Sequence, residues 1–208
     1  MANTNKIPDF LKLAINVKQN ASRYAAVESE KFFKNSFNRG GFTDVSFVPW
    51  KKTGNPLGGN KTLYKNGDLQ RNIHRQLETT ERVIVVSDLS YSEIQNNGGS
   101  ITVTSQMKKF FWAKYYEFAG KVKKTAVKGT ISKSKSNIKT SSKAEFCKGM
   151  ALKKVGDKIK IEERQYMGES KMMMAGFDEW FGGHIEIMFM KAVVNAQPPQ
   201  DMGLKAID

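Results

Sequence analysis

The chain has 208 residues, 34 Lys+Arg against 20 Asp+Glu, and a single cysteine. That length buries a core without disulfide staples, and Cys147 with only two histidines excludes an internal bridge and a zinc cluster of the Cys/His type. The formal charge of +14 points to polyanions or acidic protein surfaces as partners and leaves the fold open.

A helix is predicted from Pro8, because proline suits a first helical turn. Phe10, Leu13, Ala14, Val17, Ala21, Tyr24 and Ala25 follow at i, i+3, i+4, i+7 spacing, and Phe32, Phe33 and Phe37 extend the stripe. Asn38-Arg39-Gly40-Gly41 ends it. One helix over 8–37 or two abutting helices both fit. Residues 42–68 read as irregular, with Trp50 beside Pro49 and a Gly/Asn/Pro cluster from Gly54 to Asn60. Asp68 caps a short helix expected over Leu69–Arg75, with Leu69 and Ile73 inward.

Arg82-Val83-Ile84-Val85-Val86 is a β-branched run and a strand. Asp88–Glu93 reads as a turn, and Asn96-Asn97-Gly98-Gly99 as a break. Ile101–Thr104 is a short strand, and the aromatic-rich stretch Met107–Phe118 a helix. From Gly120 to Lys143 the composition changes. Lys121, Lys123, Lys124, Lys128, Lys133, Lys135, Lys139 and Lys143 occur with no acid, and Ser and Thr fill most gaps. Low hydrophobicity with charge of one sign predicts a flexible loop or arm over 120–143. Lys158–Ile161 alternates as a strand, Glu169–Phe181 reads as a helix, and His184–Phe189 alternates as a further strand. The tail beyond Asn195 is expected to be loose. The expectation is a single α+β domain over 1–208. In it a long N-terminal helix packs on a small, mainly antiparallel sheet that carries a long basic loop insertion.

No apolar run approaches the roughly 18–20 residues of a membrane span, and Met1–Lys6 lacks the apolar block of a secretory signal. The lone Cys147 makes a reducing cytosol the expected place of synthesis. Gly54–Thr62 fails as a phosphate-binding loop, because Asn60 separates Gly59 from Lys61 and no apolar strand precedes it. On a strand, His184 and Glu186 would share a side with Met188, yet no third metal ligand is signalled nearby. His74 lies among Arg71, Arg75 and Gln76 and reads as a surface or half-buried residue. Cys147 has basic Lys148 beside it but no neighbouring histidine to act as a base. Glu162-Glu163 and Asp178-Glu179 diverge on any regular element, so neither is a shared-proton pair. No catalytic residue, metal site or cofactor is expected.

The lysine arm has two readings. It contacts nucleic acid through counterion release, or it orders against an acidic neighbouring subunit. The 110–118 aromatics suit base stacking, core or a subunit contact. Met172, Met173, Met174, Met188 and Met190 suit a core or an adaptable protein surface.

In chain order, several segments resemble the phage virion morphogenesis family, the Mu-like gpG and tail completion group. The helix over 8–37 and Trp50 come first. Leu63-Tyr64-Lys65-Asn66-Gly67-Asp68-Leu69 matches a Leu-x-x-x-Gly-x-Leu segment, and Arg82–Val86 supplies the strand after it. Tyr91 to Gly98 stands where the family has Tyr-Ala-x-x-His-x-x-Gly, with Gln95 in the histidine position. Arg164-Gln165-Tyr166-Met167-Gly168 resembles Arg-Pro-Phe-Leu-Gly, with Gln165 in place of proline. The resemblance spans roughly 8–98 and 158–190, separated by an insertion longer than the family's.

The resemblance implies a non-enzymatic virion component of a tailed bacteriophage. It would be a tail completion or head–tail connector (neck) protein, acting as a homo-oligomeric ring beside other head and tail proteins. Assembly in the host bacterial cytoplasm and possible contact with packaged DNA follow, with no membrane and no small-molecule substrate. Trp50, Leu63, Gly67, Leu69, Tyr91, Gln95, Gly98, Arg164, Tyr166 and Gly168 would then be fold determinants. A non-specific nucleic-acid-binding module using 121–143 is the alternative.

Overall fold

A computed structural model describes residues 8–59, 61–125 and 130–196. The expected loose tail past 196, Asn60 of the glycine-rich loop and Lys128 of the basic arm lie outside them.

The fold is α+β and begins with a 30-residue helix, α1 (Phe10–Arg39). Asp9 caps it by accepting from the Lys12 backbone N–H at 2.9 Å. Gly40 ends it in the left-handed conformation (φ 73°), its N–H returning to Ser36 O at 2.8 Å. The strands form three separate antiparallel pairs. The first, β1 (Gly41–Thr43) with β2 (Phe47–Pro49), is a hairpin inside the stretch read as irregular. The second joins β3 (Ile73–Glu78) to β4 (Val83–Ser87), with a register shift between Arg75 and Leu77.

The expected Leu69–Arg75 helix is a single turn, α2 (Asp68–Arg71). Ile73 leaves it because Ile73, His74 and Arg75 pair with Ser87, Val86 and Val85 opposite. The turn expected at Asp88–Glu93 gives way at Ser92 to α3 (Ser92–Asn97).

The third pair, β5 (Gly99–Thr102) with β6 (Lys158–Ile161), closes the base of the insertion. Between its strands rise α4 (Ser105–Ala119) and α5 (Lys135–Leu152), packed together along their length. Thr104 caps α4 and Ser134 caps α5, each accepting from the backbone N–H three residues on. The loop expected over 120–143 therefore ends at Ser134. Lys135, Lys139 and Lys143 are helical, because Ala144, Cys147 and Ala151 form a stripe that α5 buries.

The last helix, α6 (Lys171–Ala196), absorbs both the expected helix and the expected strand at His184–Phe189. Alternation over six residues fits either period, and the partner decides. Tyr24 of α1 stacks on Trp180 at 4.0 Å, Trp180 stacks on His184 at 4.4 Å, and Phe10 meets Phe189 at 5.9 Å. The Trp180–His184 contact decides it, because residues four apart are neighbours on a helix, whereas on a strand they lie about 13 Å apart. Asp44 of the first hairpin fixes the start of α6. Its carboxylate accepts from Lys171 N–H at 2.9 Å and its carbonyl from Met172 N–H at 3.0 Å.

Candidate functional site

The main core joins Phe33, Phe37, Phe42, Trp50, Leu69, Ile73 and Tyr166. Trp50 meets Phe37 edge-on at 5.3 Å and donates from Nε1 to Gln165 O at 2.7 Å. Tyr166 lies 5.0 Å from Phe37 and donates its hydroxyl to Ser92 O at 3.1 Å. Burial pushes its phenol up to about 12. Arg164 is nearly buried and donates from Nε to Lys51 O at 3.2 Å, while its backbone N–H reaches Gln95 O at 3.1 Å. The segments around Trp50, Tyr91–Gly98 and Arg164–Gly168 thus converge on one junction.

The residue that locks this junction is Asn96. Its Oδ1 accepts from Tyr166 N–H at 2.8 Å and Met167 N–H at 3.0 Å, and its Nδ2 donates to Met167 O at 3.1 Å. Its position inside an Asn-Asn-Gly-Gly break marks a turn and gives no hint of a long-range partner. Tyr91 is exposed, and Gln95 contributes through its backbone. Gly98 (φ 70°) is confined, since a Cβ there would meet Glu163 N at 2.8 Å. Gly67 (φ 79°) caps α2, and Leu63 is the one described non-glycine residue at positive φ (57°). Gly168 (φ 142°) closes the junction before α6.

A cleft of about 770 Å³ opens between this junction and the α4–α5 hairpin. Lys51, Lys61, Lys65 and Arg164 stand on its wall with Tyr64 and Phe111. Among the described residues no group of three or more His, Cys, Asp or Glu side chains could hold a metal. His74 contacts Asn72 O at 2.8 Å and Asp88 at 3.4 Å. His184 lies 3.3 Å from Asn20 Nδ2 and is stacked on Trp180. Glu186, expected on its side, points roughly 200° round the helix from it. Cys147 is buried, which pushes its thiol up and away from nucleophilic character.

The basic insertion holds twelve lysines and two glutamates over 105–152, a net +10 against +14 for the chain. The arm's base is tied down by buried Asn137, a residue the sequence did not single out. Its Oδ1 accepts from Lys123 N–H at 2.7 Å, and its Nδ2 donates to Lys123 O and Ser132 O at 2.9 and 2.7 Å. Lys124 and Ile131 form a bridge above it. The lysines do not make one cluster. Lys121 pairs with Glu117 at 2.9 Å and Lys143 lies over the Phe118 ring at 5.6 Å, whereas Lys135 and Lys139 face outward from α5. Hydrogen bonds from Lys114 and Lys121 hold the Glu117 carboxyl down at about 2.

The opposite character appears on α6. Among the described side chains of α6, Met173, Phe177, Trp180, His184, Met188, Ala192 and Val193 are partly covered and the rest are exposed. Phe181, Ile185, Ile187, Phe189, Met190 and Val194 are exposed, each by 39% or more. Exposed apolar surface of this extent is uncommon on a chain that stays single. Among the described residues no helix is long and apolar enough to cross a membrane. Comparison of the chain with known protein families, with curated proteins and with solved structures returns no match.

Proposed function

We propose that the protein is a structural assembly subunit, a tail completion or neck component of a tailed bacteriophage that works as a ring of identical copies. The single observation that carries the assembly reading is the uncovered apolar surface of α6, which one copy leaves in water. The phage assignment rests on the resemblance of the ordered segments around Trp50, Leu63–Leu69, Tyr91–Gly98 and Arg164–Gly168. Those segments meet in a junction whose bonds orient loops and helices, the work of a scaffold.

A subunit with two different adhesive patches closes into a ring when the rotation between neighbours closes. Such a part acts by shape and adhesion. The test is mass in solution by light scattering, together with a search for the chain in particles purified from the encoding genome. The reading expects the chain in those particles at several copies each. A strictly monomeric chain absent from particles contradicts it.

A second reading has its own observation, the net +10 of residues 105–152. A surface of that charge binds polyanions without sequence preference, and a neck ring surrounding DNA could use both properties.

A further inference from the structure

We infer that the face of α6 turned away from α1 docks on the outer face of α5 in a second copy of the chain. This rests on the assembly reading above and specifies its contact. The two faces are complementary in charge and alike in apolar content.

On α6, Ala175, Glu179, Gly182 and Glu186 recur at i, i+4, i+7, i+11 and define the side opposite the covered stripe. Ile185 flanks that line on one side and Met190 on the other, and the free face ends at Glu186, because Phe189, next along the line, meets Phe10 of α1. Between Met172 and Met190 there are three acids, Asp178, Glu179 and Glu186, and no Lys or Arg. This is the acidic, apolar stretch of a basic chain. Gly182 and Gly183 present no side chain, and a Cβ at either would meet nothing within 4 Å in the single copy. A second backbone can therefore approach closely.

The matching surface is on α5. Ile138, Ser142, Gly149 and Leu152 form its outer line, with Ile138 53% and Leu152 61% exposed. Lys135 and Lys139 flank that line on one side and Lys148 on the other, with one acid, Glu145, within it. Pairing the faces buries apolar side chains of both and places three lysines against three acids. Each excess would repel its own kind in an α5–α5 or α6–α6 contact. The donor and acceptor patches differ, so the contact is head-to-tail and continues from copy to copy.

The experiment uses two full-length variants, Glu179→Lys with Glu186→Lys and Lys135→Glu with Lys139→Glu, all four positions exposed. Circular dichroism checks that both remain folded, and self-association is measured by sedimentation at low salt. Each variant alone is expected to associate at least tenfold more weakly than the original chain. An equimolar mixture is expected to regain association, because each α6 then meets an α5 of opposite charge. Unchanged association of either variant, no rescue on mixing, or an original chain monomeric at all concentrations overturns the docking. So does loss of DNA binding by the lysine variant with self-association intact, or capture of the original chain by anionic lipid vesicles with no self-association. Presence in purified particles separates the two levels: an incorporated chain with a failed rescue rejects this contact alone, and an absent chain rejects the assembly reading.

Discussion

Asn96 and Tyr166 stand 70 positions apart and are joined by a 2.8 Å hydrogen bond from the Tyr166 backbone N–H to Asn96 Oδ1. The same oxygen takes the next N–H, from Met167, and the amide nitrogen returns a bond to Met167 O. One side chain thereby satisfies three backbone groups on the segment that leads into α6.

Replacing Asn96 with alanine leaves those three groups without their partner. The expected loss is about 2–4 kcal/mol, since each buried unsatisfied group costs roughly 1–3 kcal/mol and water recovers part of it. Asn96→Asp keeps the acceptor and loses the donor, so it falls between the original chain and alanine. Urea unfolding measures both, and equal losses for the two variants would remove Asn96 Oδ1 from its role.

Tyr166 links stability to alkaline pH. Its folded phenol titrates at about 12 because it is buried, against 10.0 ordinarily. The folded chain keeps a proton that the unfolded chain releases in between. This contribution is fully present below about pH 10 and is lost as pH rises toward 12, by roughly 2–3 kcal/mol. Tyr166→Phe is expected to flatten that part of the pH profile while costing about 1 kcal/mol near neutrality for the bond to Ser92 O. An identical alkaline slope in the phenylalanine variant would assign it to other groups.

Gly98→Ala is expected to destabilise the chain by about 1–3 kcal/mol. The residue sits at φ 70°, and the new Cβ would lie 2.8 Å from Glu163 N, so backbone must move. Thermal melting checks it, with Gly149→Ala as the control, where a Cβ meets nothing within 4 Å.

The two glycines of α6 predict a divergence between folding and assembly. Gly182→Ala with Gly183→Ala raises helix stability by up to about 1 kcal/mol per site. The same methyl groups obstruct close approach of a second helix. Thermal stability of the dilute chain should rise while self-association weakens. Both rising together would place the contact elsewhere on α6.

Lys123, Lys124 and Lys133 test the polyanion reading. Changing all three to serine should lower the slope of log affinity against log salt for duplex DNA by up to about 2.7, at roughly 0.9 per lost phosphate contact. An unchanged slope would show that the arm does not touch DNA.

Periodicity made α1, β4, α4 and β6 legible, because each carries a pattern long or β-branched enough to admit one period. It failed where a short pattern admits two. Ile73 completes a helical turn or opens a strand, and pairing with Ser87 selects the strand. His184–Phe189 alternates, but the stacking of His184 on Trp180 four residues before it selects a helix. Lys135–Lys143 looks like open loop because its one buried side chain, Asn137, is polar and apolar burial begins at Ala144. Asn96 and Asn137 lie outside periodic reasoning altogether, since asparagine in a turn and asparagine locking distant backbone leave the same local trace. Trp50, Tyr166 and Arg164 were visible as motif positions, whereas their meeting at one junction is a property of the fold. The acidic, apolar face of α6 was present in composition, but it needed a helical assignment of His184–Phe189 to become a face.

The most direct measurement is an early stop codon in the gene, placed in the genome that encodes it, with the resulting lysate imaged by electron microscopy. The account predicts heads and tails that fail to join, or tails left unfinished, and recovery of joined particles when purified protein is added. Complete, joined and infectious particles made without the protein would contradict it.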